Sequence, residues 1–208
     1  MKLLLLAGDG IGPEISYVTR KVLEALGDRF NLGIELIQQE VGFSALEKFN
    51  TTLPDKLLHQ ANDADGIILG PLDTAAYPPA DQGGINVSAV LRKHFDLFAN
   101  IRPAKSKRGI DALAPAMDLV LVRENTEGFY ADRTMFSGSG EFMPTSDLAL
   151  SIRKISRDGS YRIGKAAATI AAGRPSRKLT IVTKSNALKV SDGLFLEACT
   201  KGAVECPN

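Results

Sequence analysis

The sequence predicts an α/β protein: a parallel-rich sheet with helices on both faces, followed by a second α/β domain that carries a β-hairpin arm. Three observations carry that prediction. Short apolar runs at residues 2–7 and 66–70 read as buried strands and residues 34–41 as another strand, and helical-period segments separate them. Past residue 130 the pattern is broken by Gly138 and Gly140 and then alternates, as in an antiparallel ribbon. The 208 residues, 44% of them hydrophobic, suffice for two such domains, divided at 1–99 and 100–208, with the arm at 130–157.

Taken in order, residues 2–7 are the first strand. Pro13 suits a first helical turn, where its missing N–H is no loss, and Ile15, Val18, Val22 and Leu26 recur at helical spacing until Gly27, where the helix is expected to stop. Residues 34–41 are the second strand. Two short helices follow, the second opened by Pro54, and 66–70 is the third strand. Residues 70–84 are too rich in Gly, Pro, Ala and Asp for anything but loop, and loops of that length tend to be functional.

Residues 86–95 regain helical spacing. "DLFANIRP" (96–103) and "MDLVLVRENTEG" (117–128) each contain an apolar strand that ends at an arginine. After the arm, residues 157–173 form an alanine-rich helix and "KLTIVTK" (178–184) a buried strand. Ser191 is the expected N-cap of the helix containing Leu194, Phe195 and Ala198.

Composition narrows the functional classes. With 25 Lys and Arg against 24 Asp and Glu the net charge is +1, too weak a field for nucleic acid or an anionic membrane. The first apolar run stops at Gly8, short of a signal-peptide core, and no stretch approaches the roughly 20 apolar residues of a membrane span. Cys199 and Cys206 have neither metal-site nor redox CxxC spacing, which suits a reducing compartment. The expected setting is cytoplasmic, and the expected partners are small molecules or a second copy.

The unusual residues fall at strand ends. "GDGIGPE" (8–14) follows the first strand, "GPLDT" (70–74) the third, and Arg102, Arg123, Lys184 and Asn186 lie at or past the ends of later strands, the edge where open α/β sheets bind ligands. A dinucleotide fingerprint G-x-G-x-x-G would need glycine at position 13, which is Pro13, though Glu35 stands about 20 residues on where a ribose-binding acid belongs. Residue chemistry leaves two readings: a pyrophosphate cradle, or a tight turn that lets a ligand approach the backbone.

Arg92, Arg102 and Arg123 form the next constellation. Guanidinium forks pair carboxylates bidentately, so three converging arginines suit a di- or tricarboxylic acid; the alternative is three solvated side chains. Tyr130 and Lys184 are the proton-transfer candidates near that edge, since His59 and His94 fall in helical segments. A lysine among arginines has its pKa lowered toward neutrality, as a base requires; the alternative is a solvated lysine. After Lys184 the acidic residues are Asp192, Glu197 and Glu205, too few and too scattered for a Mg2+ or Mn2+ site.

Together, "GDGIGPE", "GPLDT", "LRKHFDLFANIRP" (91–103), "VRENTEGFY" (122–130) and "TKSNALKVSDGLF" (183–195) resemble the isocitrate and isopropylmalate dehydrogenase family of β-decarboxylating dehydrogenases, in order and across the whole chain. The resemblance implies that Arg92, Arg102 and Arg123 hold the malate part of the substrate and that Tyr130 protonates the enol after CO2 leaves. It implies that Lys184, from the neighbouring subunit of a homodimer, assists removal of the hydroxyl proton. Asn186 and Thr74 would lie near the nicotinamide of NAD or NADP, and Ile11 near the adenine. The arm would interlock the two subunits. Mg2+ or Mn2+ is implied too, with its ligands in a part of the family fold beyond these residues.

Substrate choice in the family depends partly on the helix before the first arginine. Here Asn86 and Ser88 stand where isopropylmalate enzymes have an apolar wall, which with "ENTEG" favours an isocitrate-like or homoisocitrate-like acid. Because the family's chains run further, the 208 residues are expected to be a truncated form, inactive alone. Two other classes remain: a non-catalytic dimerising fragment that binds a tricarboxylate, and a Rossmann-type reductase.

Overall fold

The leucine run that opens the sequence becomes the centre of a sheet. In the computed structural model, which describes residues 1–114, 116–129, 135–138 and 140–206, β1 (Lys2–Leu6) lies between β2 (Glu35–Gln39) and β3 (Gly66–Leu69) and runs parallel to both. Leu4 pairs with Ile37 on one side and Ile67 on the other. Leu4, Leu5 and Leu6 are buried, as continuous apolar strands covered on both faces are.

Helix α1 (Gly12–Phe30) carries Pro13 in its first turn and runs straight through Gly27. One glycine costs a helix about 1 kcal/mol and does not end it. The stop is Asn31, in the left-handed conformation with φ of 50°, whose N–H returns to the Gly27 carbonyl. The stripe Ile15, Val18, Val22 and Leu26 is exposed; only Gly12 and Ser16 of this helix are buried.

Helices α2 (Phe43–Phe49) and α3 (Asp55–Asn62) follow, the latter opened by Pro54, and a single 3-10 turn (Ala80–Gln82) interrupts the long loop. Leu53, Leu57, Ala61 and Val87 join the leucines in the core. Buried Thr52 staples this region: its hydroxyl donates to the Ile85 carbonyl at 2.7 Å and accepts the Ile85 N–H at 2.8 Å.

Helix α4 (Val87–His94) leads to β4 (Ala99–Lys105), which pairs antiparallel with β5 (Asp118–Glu124). The chain divides into two compact units, Met1–Leu91 and Arg92–Asn208. The division falls inside α4, ahead of the 99/100 boundary expected from sequence. Backbone bonds tie the last turn of α4 into the second unit: the Arg92 carbonyl accepts from Leu97, and the Phe98 carbonyl from Asn125.

In the second unit β6 (Glu141–Thr145) and β7 (Leu148–Ser151) form an antiparallel hairpin whose residues are all exposed. Ser156 caps α5 (Arg157–Ala172) by accepting the Gly159 N–H at 3.0 Å. Helix α6 (Ser191–Val204) packs on α5 at backbone distance. A Cβ on Gly164 would sit 2.2 Å from the Cys199 carbonyl, and one on Gly202 would sit 2.2 Å from the Tyr161 carbonyl. Ile163, Ala167, Ala171, Ala198 and the free thiol Cys199 are buried there.

Two sequence expectations fail in this unit. Residues 178–184 form no strand. A β-strand exists only through a partner, and among the described residues none pairs with this run. Ser191 is the first helical residue, not the cap; Val190 holds the cap position without a side-chain bond.

Candidate functional site

In the first unit the loops that carry Ile11 and Thr74 meet at Asp9. One carboxylate oxygen of this buried side chain accepts the Phe43 N–H at 2.8 Å; the other accepts the Asp73 N–H at 3.0 Å and the Tyr77 hydroxyl at 2.5 Å. With the Asp9 N–H donating to the Pro71 carbonyl at 2.7 Å, the loops 8–12 and 70–74 are laced together. Burial, reinforced by the bond to Asp9, raises the Tyr77 phenol pKa above its ordinary value.

This lacing explains two of the glycines. A Cβ on Gly8 would meet the Pro71 carbonyl at 2.1 Å and one on Gly12 the Ala7 carbonyl at 2.1 Å, so both faces are filled by the chain itself. The stretch is a tight turn packed against its own chain at Gly8 and Gly12. What it leaves to a ligand is Gly10, with open space above it, and Ile11, 59% exposed, with exposed Thr74 on the partner loop. Asn86, exposed, caps α4 through its side-chain oxygen, which accepts the Ala89 N–H at 3.0 Å; Ser88 is half-buried.

In the second unit Arg102 and Arg123 come together, though not as the strand pattern implied. The two strands are antiparallel, so their C-terminal ends lie at opposite ends of the ribbon, and Arg102 stands in mid-strand. Register does the work instead. Asn100 is paired with Arg123, and Arg102 lies two residues beyond Asn100, so all three share one face. The Arg102 Nε donates to the Asn100 side-chain oxygen at 3.0 Å. The Asn100 amide donates to Asn125 at 3.3 Å, and Asn125 donates to the Leu97 carbonyl at 3.2 Å. That relay fixes the Arg102 guanidinium through its Nε.

Arg102 and Arg123 both line a cavity of about 950 Å³ within this unit, with Arg153 and Asp192 also on its wall; Arg92 is not among the lining residues. Lys184 and Asn186 lie in an exposed turn. That turn is fastened by buried Asp192, whose one oxygen accepts the Lys184 N–H at 2.8 Å and the Thr183 hydroxyl at 3.0 Å. The other oxygen pairs with Arg153. The Arg153 bond above all, then the Lys184 N–H, holds the Asp192 carboxyl down at about 2 against the desolvation that opposes it. Tyr130 lies outside the described residues.

The "ENTEG" stretch, which in the sequence leans toward an isocitrate-like acid, is engaged within the fold. Glu124 accepts the Thr126 hydroxyl at 2.5 Å and the Glu127 N–H at 2.7 Å, with Arg162 3.8 Å away and stacked over Phe98. Glu127 accepts the Ser156 N–H at 2.8 Å and its hydroxyl at 2.5 Å. Asn125 is buried in the relay to Arg102.

Among the described residues no three acidic, histidine or cysteine side chains gather, and both Asp192 oxygens are engaged. These residues do not fit a divalent-cation site. No helix among them is long and apolar enough to cross a membrane. Sequence reasoning missed Asp9, Asn100, Asn125, Arg153 and Asp192. Asn100 and Asn125 had a visible signal, each lying two residues from an arginine already singled out.

A family model described as isocitrate/isopropylmalate dehydrogenase matches residues 2–208. The chain is 37% identical to the 3-isopropylmalate dehydrogenase of Sulfurisphaera tokodaii over 204 residues, 97% of this chain and 56% of that one. It is 36% identical to the isocitrate/homoisocitrate dehydrogenase of Thermus thermophilus over 208 residues, 99% of this chain and 57% of that one. The solved structure of the isocitrate dehydrogenase from Methylococcus capsulatus superimposes with a TM-score of 0.78 at 38% identity, covering 98% of this chain and 57% of that one. The chain thus spans a little over half the length of its relatives.

Proposed function

The chain belongs to the isocitrate/isopropylmalate dehydrogenase family, and from that membership we propose that its residues serve the oxidative decarboxylation of a 3-substituted malate with NAD or NADP. The observation that carries this reading is the shared face of Arg102 and Arg123, with the Arg102 fork aimed by Asn100. Two guanidinium groups on one face suit the paired carboxylates of a malate-like acid.

In this reading Arg92 completes the clamp. A nicotinamide cofactor held there would supply the acceptor for the hydride from C2 of the acid. Lys184, contributed by a second copy of the chain, helps take the hydroxyl proton, and Tyr130 returns a proton to the carbon that loses CO2. Thr74 and Asn186 attend the nicotinamide end of the cofactor and Ile11 its adenine end.

A carboxylate-bearing substituent, as in isocitrate or homoisocitrate, is favoured over isopropylmalate. Its support is the polar start of α4, where the Asn86 side-chain oxygen is taken by its cap and Ser88 follows two residues on. The absence of an oxygen cluster among the described residues supports a second reading for these 208 residues alone, acid binding without turnover.

Calorimetric titration with isocitrate, homoisocitrate and isopropylmalate, with and without Mn2+, tests both. Tricarboxylate binding independent of Mn2+, lost in Arg102→Ala and Arg123→Ala, is expected. Heats unchanged by both substitutions overturn the clamp, preference for isopropylmalate overturns the substrate assignment, and sustained NAD+ or NADP+ reduction with Mn2+ overturns the reading without turnover.

A further inference from the structure

Arg162 of α5 is not one of the acid-binding arginines, yet its guanidinium touches the chain segments that flank them. Its two terminal nitrogens donate to the two carboxylate oxygens of Asp96, the longer bond at 3.1 Å. One of them, Nη2, also donates to the buried Thr126 hydroxyl at 2.9 Å and stands 3.8 Å from Glu124. The guanidinium carbon lies over the Phe98 ring, 4.5 Å from its centroid.

These contacts fall where the three arginines are joined. Asp96 makes the turn between α4 and β4, and its φ of 45° folds the chain so that the Leu97 N–H returns to the Arg92 carbonyl at 2.9 Å. Phe98 leads into β4 just ahead of Asn100 and Arg102, and its carbonyl accepts the Asn125 N–H at 2.8 Å. Glu124 follows Arg123 and ends the ladder opposite Ala99. One fork therefore closes the end of the β4–β5 ribbon, next to the Asn100–Arg123 pair, and holds the corner that joins Arg92 to it.

Stability does not explain the arrangement. The Asp96 side chain is 63% exposed, and ion pairs open to water contribute little. The Arg162 Nε is buried without a hydrogen-bond partner among the described residues, and a buried donor left unmet costs stability. What a bidentate fork does supply is a fixed direction, which a single ammonium does not.

We propose that Arg162 is a positioning residue for the acid clamp: by gripping Asp96, Phe98 and Thr126 together it sets the spacing of Arg92, Arg102 and Arg123. The inference rests on the clamp assigned to those three arginines above.

The test is calorimetric titration of the 208-residue chain with isocitrate, beside urea unfolding, in three variants. Arg162→Lys keeps the charge and loses the fork, and binding should weaken at least fivefold. Asp96→Asn gives the sharper reading. Asparagine adopts a left-handed φ as readily as aspartate, so the turn and the urea midpoint should hold. Losing a negative charge from this segment would by Coulomb's law tighten a tricarboxylate, whereas losing the anchor of the fork should weaken it at least twofold. Arg157→Met removes an exposed ion pair with Glu197 from the same helix and should leave affinity at the parent value.

A parent chain that gives no heat with isocitrate overturns the clamp, and this role with it. A parent chain that binds while Arg162→Lys binds equally well overturns the role alone. So does unchanged or tighter binding by Asp96→Asn, and so does a loss in Arg157→Met that matches the loss in Arg162→Lys. Weaker binding accompanied by a lowered urea midpoint in both Arg162→Lys and Asp96→Asn assigns the arginine to stability and overturns it too.

Discussion

The side chain of Asp192 accepts the backbone N–H of Lys184 at 2.8 Å, joining the first turn of α6 to the loop that presents the lysine. Eight residues of chain are closed by one carboxylate, which Arg153 and Thr183 also hold. The position of Lys184 therefore depends on the charge of Asp192.

Acid should loosen that loop. In the fold Asp192 titrates at about 2, below the ordinary carboxyl value of 3.8, so the unfolded chain takes up this proton first as pH falls. The stability it contributes is complete above about pH 4 and is lost as pH drops toward 2. Thermal melting between about pH 5 and pH 2 should show a steeper decline for the parent chain than for Asp192→Asn. Equal slopes in the two proteins would remove the carboxylate from this role.

Asn100→Ala tests the relay behind Arg102. The substitution leaves the arginine and the strand register in place and removes the acceptor of its Nε. Isocitrate affinity should fall by about 1 kcal/mol, roughly fivefold, with little change in the urea midpoint. Unchanged affinity would show that the guanidinium needs no such support.

Gly42→Ala tests the Asp9 hub. Gly42 has a φ of 74°, and a Cβ there would meet Asp9 Oδ1 at 2.2 Å. Strain of this kind costs about 1–3 kcal/mol, and the Asp9 carboxylate has no room to retreat from its three donors. Urea unfolding of the variant should shift down accordingly, and ultraviolet absorbance of the phenolate should show Tyr77 ionising at lower pH once its bond to Asp9 is disturbed.

The β6–β7 hairpin tests self-association. Phe142, Met143, Leu148 and Leu150 all lie exposed on this short ribbon, more apolar side chain than an isolated hairpin keeps in water. Sedimentation should show a dimer for the parent chain and a monomer for the double variant Phe142→Asp, Leu150→Asp. A parent chain that sediments as a monomer at all concentrations would end the proposal that a second copy supplies Lys184.

Local chemistry was legible where it needed only the chain's own neighbourhood. Ser156 as a cap, Pro13 and Pro54 as openers and the leucine run as a buried strand all follow from one or two residues and their spacing. What failed was relational. "KLTIVTK" has strand composition but no ladder, because composition states fitness for a sheet and not the presence of a neighbour. The pairing of Arg102 and Arg123 on one face was foreseen for the wrong reason. Shared strand ends suggested it, whereas antiparallel register produces it. Asp9 and Asp192 carry no periodic signal; their role shows only once distant segments converge on a carboxylate.

The order β2–β1–β3 also bears on how the first unit comes into being. Its central strand precedes both neighbours in the chain, and the second of them arrives about sixty residues later. Until then four consecutive leucines have no lasting shelter, and closing parallel ladders across that distance is slow beside the near-neighbour docking of α5 on α6. During synthesis this makes the leading segment a natural client for chaperones that shield greasy nascent peptides.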